Sequence, residues 1–376
     1  MRQLRIFSTD RINKYITLYN MTNIKIVLED GSEFHGKSFG YQGSVAGEVV
    51  FNTAMAGYAE SLTDPSYKGQ ILVMTYPLAG NYGIPHKEHE NNIIKHFESD
   101  NIYVSALVTT DYSNEYSHWR ADKSLDEWMK EHRVPGIYGI DTRALTKILR
   151  ENGNMLGKII YKNHDVPFYN PYDDNLVEMV SCKEKIVYGN GSYRILLVDC
   201  GVKHNIIRNL LAADATVIRV PWNYDFVGEE YDGLLISNGP GDPKKCGAAI
   251  QNVAKALKND KPILGICLGG LILGLAAGAD TFKLKYGHRS RNQPVKQVGS
   301  DTAIITSQNH SFAIDAATIP ADWEPYYENL NDGTNEGVRH KTKPFFSAQF
   351  HPEPSGETPD AENMFSAFIE EVKKTR

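Results

Sequence analysis

Short apolar runs alternate with helix-like stretches along the second half of the chain. Nearly continuous apolar runs predict strands buried on both faces, and the stretches between them have the spacing of helices. The predicted strands are residues 194–199, 216–220, 233–237 and 262–266, and the predicted helices are residues 205–213, 248–258 and 271–279. This alternation predicts a doubly covered parallel sheet, in which ligands bind beyond the carboxyl ends of the strands.

The first half of the chain has a different pattern, in which short β-type runs and turns outnumber helical pieces. Strands are predicted at residues 23–28, 33–36, 48–51, 70–75 and 102–109, and helices at residues 124–132 and 141–151. We therefore predict an α/β protein, with a mixed α/β amino-terminal domain over residues 21–162 and the parallel-sheet domain over residues 193–376. Residues 163–192 lack clear periodicity and are interpreted as a linker.

The first 20 residues do not continue either pattern. The segment carries four basic residues but no long apolar core, so a secretory signal is not expected. Basic organellar targeting is an alternative, against which Asp10 and the weak amphipathicity count. We interpret residues 1–20 as a flexible extension or the product of an upstream start codon, and we expect a cytoplasmic protein.

Composition narrows the class of protein. A chain of 376 residues with 41% hydrophobic content fits two or three domains with buried cores. The formal charge of −6 argues against a nucleic-acid partner or a membrane surface. No apolar run approaches the roughly 20 residues that cross a bilayer. The four cysteines form no C-x-x-C pair and are too few for a disulfide framework or a structural zinc site, so no metal site is predicted.

One cysteine has the surroundings of a nucleophile. Cys267 ends the predicted strand 262–266, lies between Gly265 and Gly269, and precedes a helical pattern. Glycines on both sides allow the sharp strand-to-helix turn of a nucleophile elbow. The first turn of a helix also favours an ionised thiol. The alternative is a buried strand cysteine beside packing glycines.

A histidine at the end of another apolar run is the candidate base. His351 follows the run 344–350, and Glu353 lies two residues further on. Side chains at i and i+2 of a strand point the same way, so the glutamate can accept the ring N–H and fix the tautomer. A solvated His–Glu pair is the alternative. His310 and His288 are rival bases, but neither has a carboxylate two residues on.

A glycine-rich turn follows the predicted strand 233–237. Its sequence is S-N-G-P-G-D over residues 237–242, and such a turn most often only reverses the chain. It can also aim backbone N–H groups into a cleft, as an oxyanion requires, and the N–H of Leu268 after the nucleophile would be a second donor. Because this turn and Cys267 both follow strand ends, we expect them on one edge of the sheet.

These motifs resemble a known family. G-I-C-L-G at residues 265–269, N-G-P-G-D at residues 238–242 and H-P-E at residues 351–353 are similar to class I glutamine amidotransferases. The first domain resembles the amino-terminal domain of the carbamoyl-phosphate synthase small chain. The motifs that carry this second resemblance are F-N-T-A-M-A-G-Y (51–58), L-T-D-P-S-Y (62–67), T-Y-P-L-A-G-N (75–81), Y-G-I-D-T-R-A-L (138–145), L-V-D-C-G-V-K (197–203) and T-S-Q-N-H (306–310).

The resemblance implies hydrolysis of L-glutamine to glutamate and ammonia. Cys267 would attack the side-chain amide, His351 would act as base and then as acid, and Glu353 would orient His351. The positions that match glutamine-binding or oxyanion-stabilising residues of the family are Ser66, Gly239, Gly241, Leu268, Asn309 and Phe312.

The resemblance also implies a partner. In this family, ammonia passes through an internal tunnel to a separate large subunit, which makes carbamoyl phosphate from bicarbonate with ATP and Mg²⁺. This chain itself would need no cofactor. The chain ends at Arg376 without a synthase half, so that half is expected as a partner. The product would feed arginine and pyrimidine synthesis.

Two residues beside the nucleophile depart from the family pattern. The family usually reads C-L-G-H-Q, where this chain has Gly270 and Leu271. Leu271 cannot make the hydrogen bond to glutamine that the usual glutamine side chain makes. Ser311 also replaces a usual glycine. We expect retained chemistry with weakened or altered glutamine binding. The alternatives are a glutaminase-impaired docking and regulatory subunit, favoured by Gly270 and Leu271, and a small-ester thiol hydrolase.

Overall fold

The computed structural model describes residues 24–353 and 363–376. The interpretation of residues 1–20 lies outside the described residues. In the part of the chain that is described, no helix is long and apolar enough to cross a membrane.

The amino-terminal domain is built around a closed barrel. Its strands are β1 (Ile24–Leu28), β2 (Glu33–Gly40), β3 (Val45–Asn52), β4 (Gln70–Met74), β5 (Leu78–Ala79), β6 (Ile84–Pro85), β7 (His89–Glu90), β8 (Ile93–Ile94), β9 (Ala106–Val108), β10 (Asp111–Tyr112), β11 (Ala121–Lys123), β12 (Pro135–Tyr138) and β13 (Met155–Tyr161). The barrel order is β1-β13-β3-β4-β9-β12-β2, and β10–β5, β11–β6 and β7–β8 form two-stranded sheets. Ile24, Ile26 and Leu28 of β1 are buried in alternation, as a half-exposed barrel strand requires.

Three helices accompany the barrel: α1 (Tyr58–Thr63), α2 (Leu125–Glu131) and α3 (Thr142–Asn152). Helix α2 begins with a capping box, in which Ser124 and Glu127 satisfy each other's free backbone N–H groups. The side chain of Asp141 accepts a hydrogen bond from Ala144 N and caps α3, so the aspartate start predicted for this helix is confirmed. A short 3₁₀ turn at Pro65–Tyr67 follows α1 and brings Ser66 towards the second domain.

The second half of the chain forms a single large sheet with helices on both faces. Its elements are α4 (Leu176–Val180), β14 (Ile186–Tyr188), β15 (Tyr193–Asp199), α5 (His204–Ala212), β16 (Ala215–Pro221), β17 (Gly233–Ile236), α6 (Gly247–Ala256), β18 (Ile263–Ile266), α7 (Leu268–Ala277), β19 (Thr281–Gln297), β20 (Ala303–Ile314), β21 (Trp323–Asn329), β22 (Asn335–His340), β23 (Phe345–Ala348) and α8 (Asn363–Thr375). The strand order is β14-β16-β15-β17-β18-β23-β22-β21-β19-β20.

The predicted doubly covered parallel sheet is the centre of this domain. Strands β16, β15, β17, β18 and β23 are parallel neighbours. Along β15, Ile195 and Leu197 pack in the cluster that contains residues of α5 and α8, whereas Leu196 and Val198 pack with α6 and α7. Alternate residues of one strand therefore fill two cores, which explains why the strands read as continuous apolar runs.

The antiparallel part of the sheet was not predicted. Strands β19 to β22 extend it beyond β23, and β19 pairs with β20 over most of its length. Two further differences are local. The predicted linker contains α4 and β14, and β14 pairs with β16. The predicted strand 102–109 shortens to β9 because Tyr103 N and Ser105 N donate to Leu62 O and Gln70 O, outside that strand's ladders.

The two domains meet along the edge where the candidate site lies. Asn309 Nδ2 donates to Asp64 Oδ2 over 3.0 Å, and Asn238 Nδ2 donates to Ser66 Oγ over 2.9 Å. Lys283 Nζ pairs with Glu48 Oε1 at 2.9 Å. These contacts join the turn after α1 to loops and strands of the large sheet, so residues more than 170 positions apart form one surface.

Candidate active site

Cys267 lies in a sharp turn between β18 and α7. Its φ is 52° and its ψ is −110°, a conformation that residues with a side chain rarely adopt. A Cβ at Gly269 would lie 2.0 Å from Ile236 O, and one at Gly265 would lie 2.6 Å from Gly269 O. The glycines on both sides are therefore required for the close approach of strand and helix. This is the geometry of a nucleophile elbow, and α7 begins at Leu268, directly after the cysteine.

His351 and Glu353 form a buried pair next to the elbow. His351 N donates to Ser307 O over 2.9 Å, which fixes the backbone after β23. The ring Nδ1 lies 2.7 Å from Glu353 Oε1. An ionised carboxylate only accepts, so Nδ1 carries the donated proton. Nε2 has no hydrogen-bond partner among the described residues, and the Cys267 thiol donates to Asn309 O over 3.7 Å. The thiol is still near enough to the ring to raise the pKa of His351.

A buried lysine completes this group and was not predicted as a site residue. Lys203 Nζ lies 2.8 Å from Glu353 Oε1 and 3.8 Å from Glu98 Oε1. Lys203 follows β15 at the end of the motif 197–203. This position after a strand is the feature from which the sequence could have predicted Lys203 as a site residue. Its burial against a residue 150 positions away was not visible in the sequence.

The charges of this group reinforce one another. Burial acts to raise the pKa of Glu353, but Lys203 and His351 outweigh it and lower that pKa to about 2. Burial acts to lower the pKa of His351, but the charge of Glu353, with a smaller contribution from the Cys267 thiol, raises it to about 10. His351 is therefore cationic at neutral pH. An imidazolium beside a thiol stabilises the thiolate, the form that attacks.

The His351 shift predicts a pH dependence of stability. The folded-state pKa of about 10 lies above the unfolded value near 6.5, so the folded protein holds this proton more tightly. Its stabilising contribution is complete below pH 6.5 and is lost as the pH rises towards 10, with a slope of up to about 1.4 kcal/mol per pH unit. Urea unfolding at several pH values should show a smaller alkaline decline for His351→Gln. Equal slopes in both proteins would contradict the shift.

The six predicted substrate residues line one small cavity together with Cys267. Ser66 comes from the turn after α1, Gly239 and Gly241 from the loop after β17, and Leu268 from the start of α7. Asn309 and Phe312 come from β20. A Cβ at position 239 would lie 2.0 Å from Cys200 O, so this loop passes β15 at a distance that only glycine allows. The prediction that the turn and the cysteine share one edge of the sheet is confirmed.

Leu271 also lines this cavity, as its place in the family pattern predicted, whereas Gly270 is not among the lining residues. The remaining lining residues were not predicted to bind substrate: Gln70, Tyr172, Pro240, Arg289, His310 and Ser311. Arg289 is buried, and its guanidinium donates to Tyr286 O over 2.9 Å and to Ser311 Oγ. Its Nε has no hydrogen-bond partner among the described residues. A buried guanidinium rarely lines a pocket. The pairing of β19 with β20 places Arg289 there, and the sequence alone did not predict that pairing.

Two models of known protein families match the two halves of the chain. Residues 26–159 match the family described as carbamoyl-phosphate synthase small chain, CPSase domain, and residues 196–371 match glutamine amidotransferase class-I. A solved structure of a glutamine amidotransferase from Thermotoga maritima is 18% identical, with a TM-score of 0.36. The superposed region covers 49% of this chain and 86% of the chain in that structure.

Curated relatives are similar to this chain along most of its length. The chain is 50% identical over 354 residues to the mitochondrial carbamoyl-phosphate synthase (ammonia) of Mus musculus, covering 93% of this chain and 24% of that protein. It thus spans about a quarter of the length of such relatives. It is 46% identical over 357 residues to the carbamoyl phosphate synthase arginine-specific small chain of Neurospora crassa, covering 92% of this chain and 79% of that one. The chain therefore belongs to the carbamoyl-phosphate synthase small-chain family.

Proposed function

We propose that this chain hydrolyses L-glutamine and delivers ammonia to the large subunit of a carbamoyl-phosphate synthase. The observation that carries the proposal is the group formed by Cys267, His351, Glu353 and Lys203. A cysteine on a strained elbow lies beside a buried imidazolium whose other nitrogen is held by a carboxylate. This is the arrangement that thiol acyl transfer needs.

The reaction starts with attack of the Cys267 thiolate on the side-chain amide carbon of glutamine. The tetrahedral oxyanion accepts hydrogen bonds from Leu268 N–H, which has no intrahelical acceptor at the first position of α7, and from Gly239 N–H. His351 gives its proton to the leaving nitrogen, so ammonia departs and a thioester forms. His351 then takes a proton from water, which attacks the thioester and releases glutamate and the thiolate.

The charge inside the cavity suits the amino-acid end of the substrate. The Arg289 guanidinium can bind the α-carboxylate, since a fork of N–H donors matches a carboxylate. Glu48 lies behind the cavity, where its Oε2 accepts from Gln70 Nε2 and Tyr172 OH, both 2.7–2.8 Å away. Asn309 and Ser66 add neutral polar groups. Leu271 offers only apolar contact, so this side of the pocket binds the substrate less tightly than a side chain that donates or accepts a hydrogen bond would.

A second candidate function has specific support. The chain would bind its partner without hydrolysing glutamine, and the partner would use free ammonia. Leu271 replaces a polar family residue in the cavity, and several relatives at 49–50% identity are named carbamoyl-phosphate synthase (ammonia). The intact group around Cys267 favours hydrolysis.

We expect Leu271→Gln to lower the KM for glutamine. One regained hydrogen bond in a buried polar site is worth roughly 1–3 kcal/mol, which corresponds to about 5- to 150-fold in affinity. The turnover number should change little, because the new contact does not involve the reacting atoms. Steady-state ammonia release measures both constants. Leu330→Gln, at an exposed position, is the matched control. An unchanged KM in Leu271→Gln would contradict this account of the pocket.

The route of ammonia is proposed to begin beside His351. A second small cavity of about 40 Å³ is lined by His351, Lys203, Asp64 and Glu98, among other residues. Its polar lining suits a small molecule that both donates and accepts hydrogen bonds. The large subunit would be the place where ATP and Mg²⁺ act. A role in arginine and pyrimidine synthesis and a cytoplasmic location are further proposals.

Isotope transfer tests the proposed function directly. The complex of this chain with its large subunit is given bicarbonate, ATP and glutamine that carries ¹⁵N only in the side-chain amide. We expect ¹⁵N in carbamoyl phosphate at an enrichment that an excess of unlabelled ammonium hardly dilutes. Carbamoyl phosphate that forms only from added ammonium would establish the second candidate instead.

A further inference from the structure

A buried cluster of polar side chains lies in the antiparallel part of the sheet. His288 of β19 is the register partner of His310 of β20, and Glu336 of β22 lies against both. Gln308, two residues before His310, points at the same space. The exposed fractions of these four residues do not exceed 7%.

The four inward atoms face one another, and those of His288, His310 and Glu336 all lie within 4.8 Å of one another. His288 Nδ1 lies 2.9 Å from Gln308 Oε1 and 3.2 Å from Glu336 Oε1. His310 Nε2 lies 3.0 Å from Gln308 Oε1 and 3.9 Å from Glu336 Oε1. Ligand atoms at about 2.1 Å from a common ion are separated by roughly 3.0–3.4 Å in octahedral and tetrahedral sites, so binding would draw the wider pairs of this cluster together.

The outer nitrogens of both histidines are held as they are in metal sites. His288 Nε2 lies 2.8 Å from Asp332 Oδ2, and His310 Nδ1 lies 2.9 Å from Phe312 O. Both oxygens accept, so each outer nitrogen carries a proton and each inner nitrogen can present a lone pair. A ligating histidine almost always donates its other N–H to a carboxylate or a backbone carbonyl.

Hydrogen bonds within this cluster do not give every polar atom a suitable partner. Gln308 Nε2 donates to Thr306 Oγ1, which itself donates to Gln293 O, so the amide oxygen of Gln308 must face the histidines. With its proton on Nδ1, His310 directs the lone pair of Nε2 at that oxygen.

The Glu336 carboxylate is a second, independent indication of a bound cation. Glu336 is fully buried, and its Oε2 has no hydrogen-bond partner among the described residues. Its Oε1 accepts from Asn329 Nδ2 over 3.0 Å. Leaving a buried carboxylate oxygen unpaired costs free energy, and a cation bound by both oxygens of Glu336 on the side of the histidines would remove that cost.

We propose that His288, His310 and Glu336, with Gln308 as a fourth oxygen donor, bind one divalent transition-metal ion of the Zn²⁺ class. Two imidazoles, a carboxylate and an amide oxygen are ligands that such ions accept. The cysteine count could not reveal this site, because no cysteine belongs to it. The ion would join β19, β20 and β22.

The site is structural and lies against the candidate active site, because the ligand His310 also lines the substrate cavity. Arg289 and Asn309, which line the substrate cavity, are the chain neighbours of His288 and His310. An ion that fixes these two strands would therefore fix the cavity wall.

Metal binding by the whole chain tests the proposal. Protein dialysed against a chelator and then against metal-free buffer is titrated with Zn²⁺ by calorimetry. We expect one Zn²⁺ per chain. Co²⁺ in place of Zn²⁺ should give visible d–d absorption without a thiolate charge-transfer band, since all ligand atoms are N or O. A thiolate band would place the ion at a cysteine instead and overturn the proposal, as would the absence of stoichiometric binding.

Two variants identify the ligands without relying on activity. Glu336→Gln keeps the shape of the side chain but removes the charge, and it should abolish stoichiometric binding. Asp332→Asn changes an exposed residue whose Oδ2 orients His288 and whose Oδ1 accepts from Thr334. Asparagine can keep the bonds from Thr334, so the variant should fold normally and weaken Zn²⁺ binding by roughly 10- to 100-fold. The matched control is Asp322→Asn, which alters a similar pair with His340 outside the cluster. Equal Zn²⁺ affinity in the two Asp→Asn variants would overturn the proposal.

Discussion

Cys267→Ala should reduce glutamine hydrolysis by at least about 10³-fold, because without the thiol no thioester forms and only substrate binding and oxyanion stabilisation remain. Synthesis of carbamoyl phosphate from added ammonium should persist in the complex with the large subunit. The reason is that glutamine hydrolysis takes place in this chain, whereas carbamoyl phosphate is made at a separate site in the large subunit. Initial rates with glutamine and with ammonium, measured on the same preparation, give both numbers.

Cys182→Ser is the matched control for that variant. Burial and the nearby Asp199 raise the pKa of the Cys182 thiol to about 12, so this thiol is a poor nucleophile. It lies outside the substrate cavity, and its replacement should leave both rates within a small factor of the original. A Cys267→Ala protein that still releases ammonia from glutamine would show that another group does the chemistry.

Glu353→Gln is expected to have the second largest effect. The amide removes the charge that keeps His351 cationic, and the more distant Glu98 is then the ion-pair partner left to Lys203 among the described residues. Loss of the carboxylate that orients a catalytic histidine costs on the order of 10⁴-fold in turnover in comparable triads. Removing one partner of a buried ion pair also destabilises a fold by about 3–5 kcal/mol.

Glu98→Gln distinguishes the two consequences of that change. Glu98 contacts Lys203 at 3.8 Å and accepts from Asn205 N over 3.1 Å, and Glu353 remains on His351 in this variant. We expect it to lose stability while retaining most of its turnover with glutamine. Urea unfolding and steady-state kinetics on both variants provide the comparison. Equal losses of turnover in both variants would mean that Glu353 acts only through the fold.

The sequence predicted the parts of the site that depend on local spacing or on general rules of topology. His351 and Glu353 are two residues apart at a strand end, and a strand places such side chains on one side. The loop at Gly239 and the elbow at Cys267 follow neighbouring parallel strands, whose carboxyl ends share an edge. Helix starts at Ser124 and Asp141 were visible because their caps are local.

Features that depend on distant pairing could not be predicted in this way. Lys203 enters the site only because β15 brings it to Glu353, and Arg289 only because β19 pairs with β20 in one register. Closure of the barrel likewise rests on β1 pairing with β13, from Ile24 opposite Tyr161 to Leu28 opposite Gly157. Such contacts depend on long-range packing, which periodicity in one sequence does not encode.

The central claim is that Cys267 forms a covalent bond with glutamine. Acid quenching of the complex during turnover, followed by digestion and mass spectrometry, captures the thioester if it accumulates. The account predicts a glutamyl adduct on the peptide that contains Cys267, formed with glutamine and absent with ammonium or in Cys267→Ala. A complex that makes carbamoyl phosphate from ammonium but, at saturating glutamine, shows no adduct and forms neither free ammonia nor carbamoyl phosphate would contradict it.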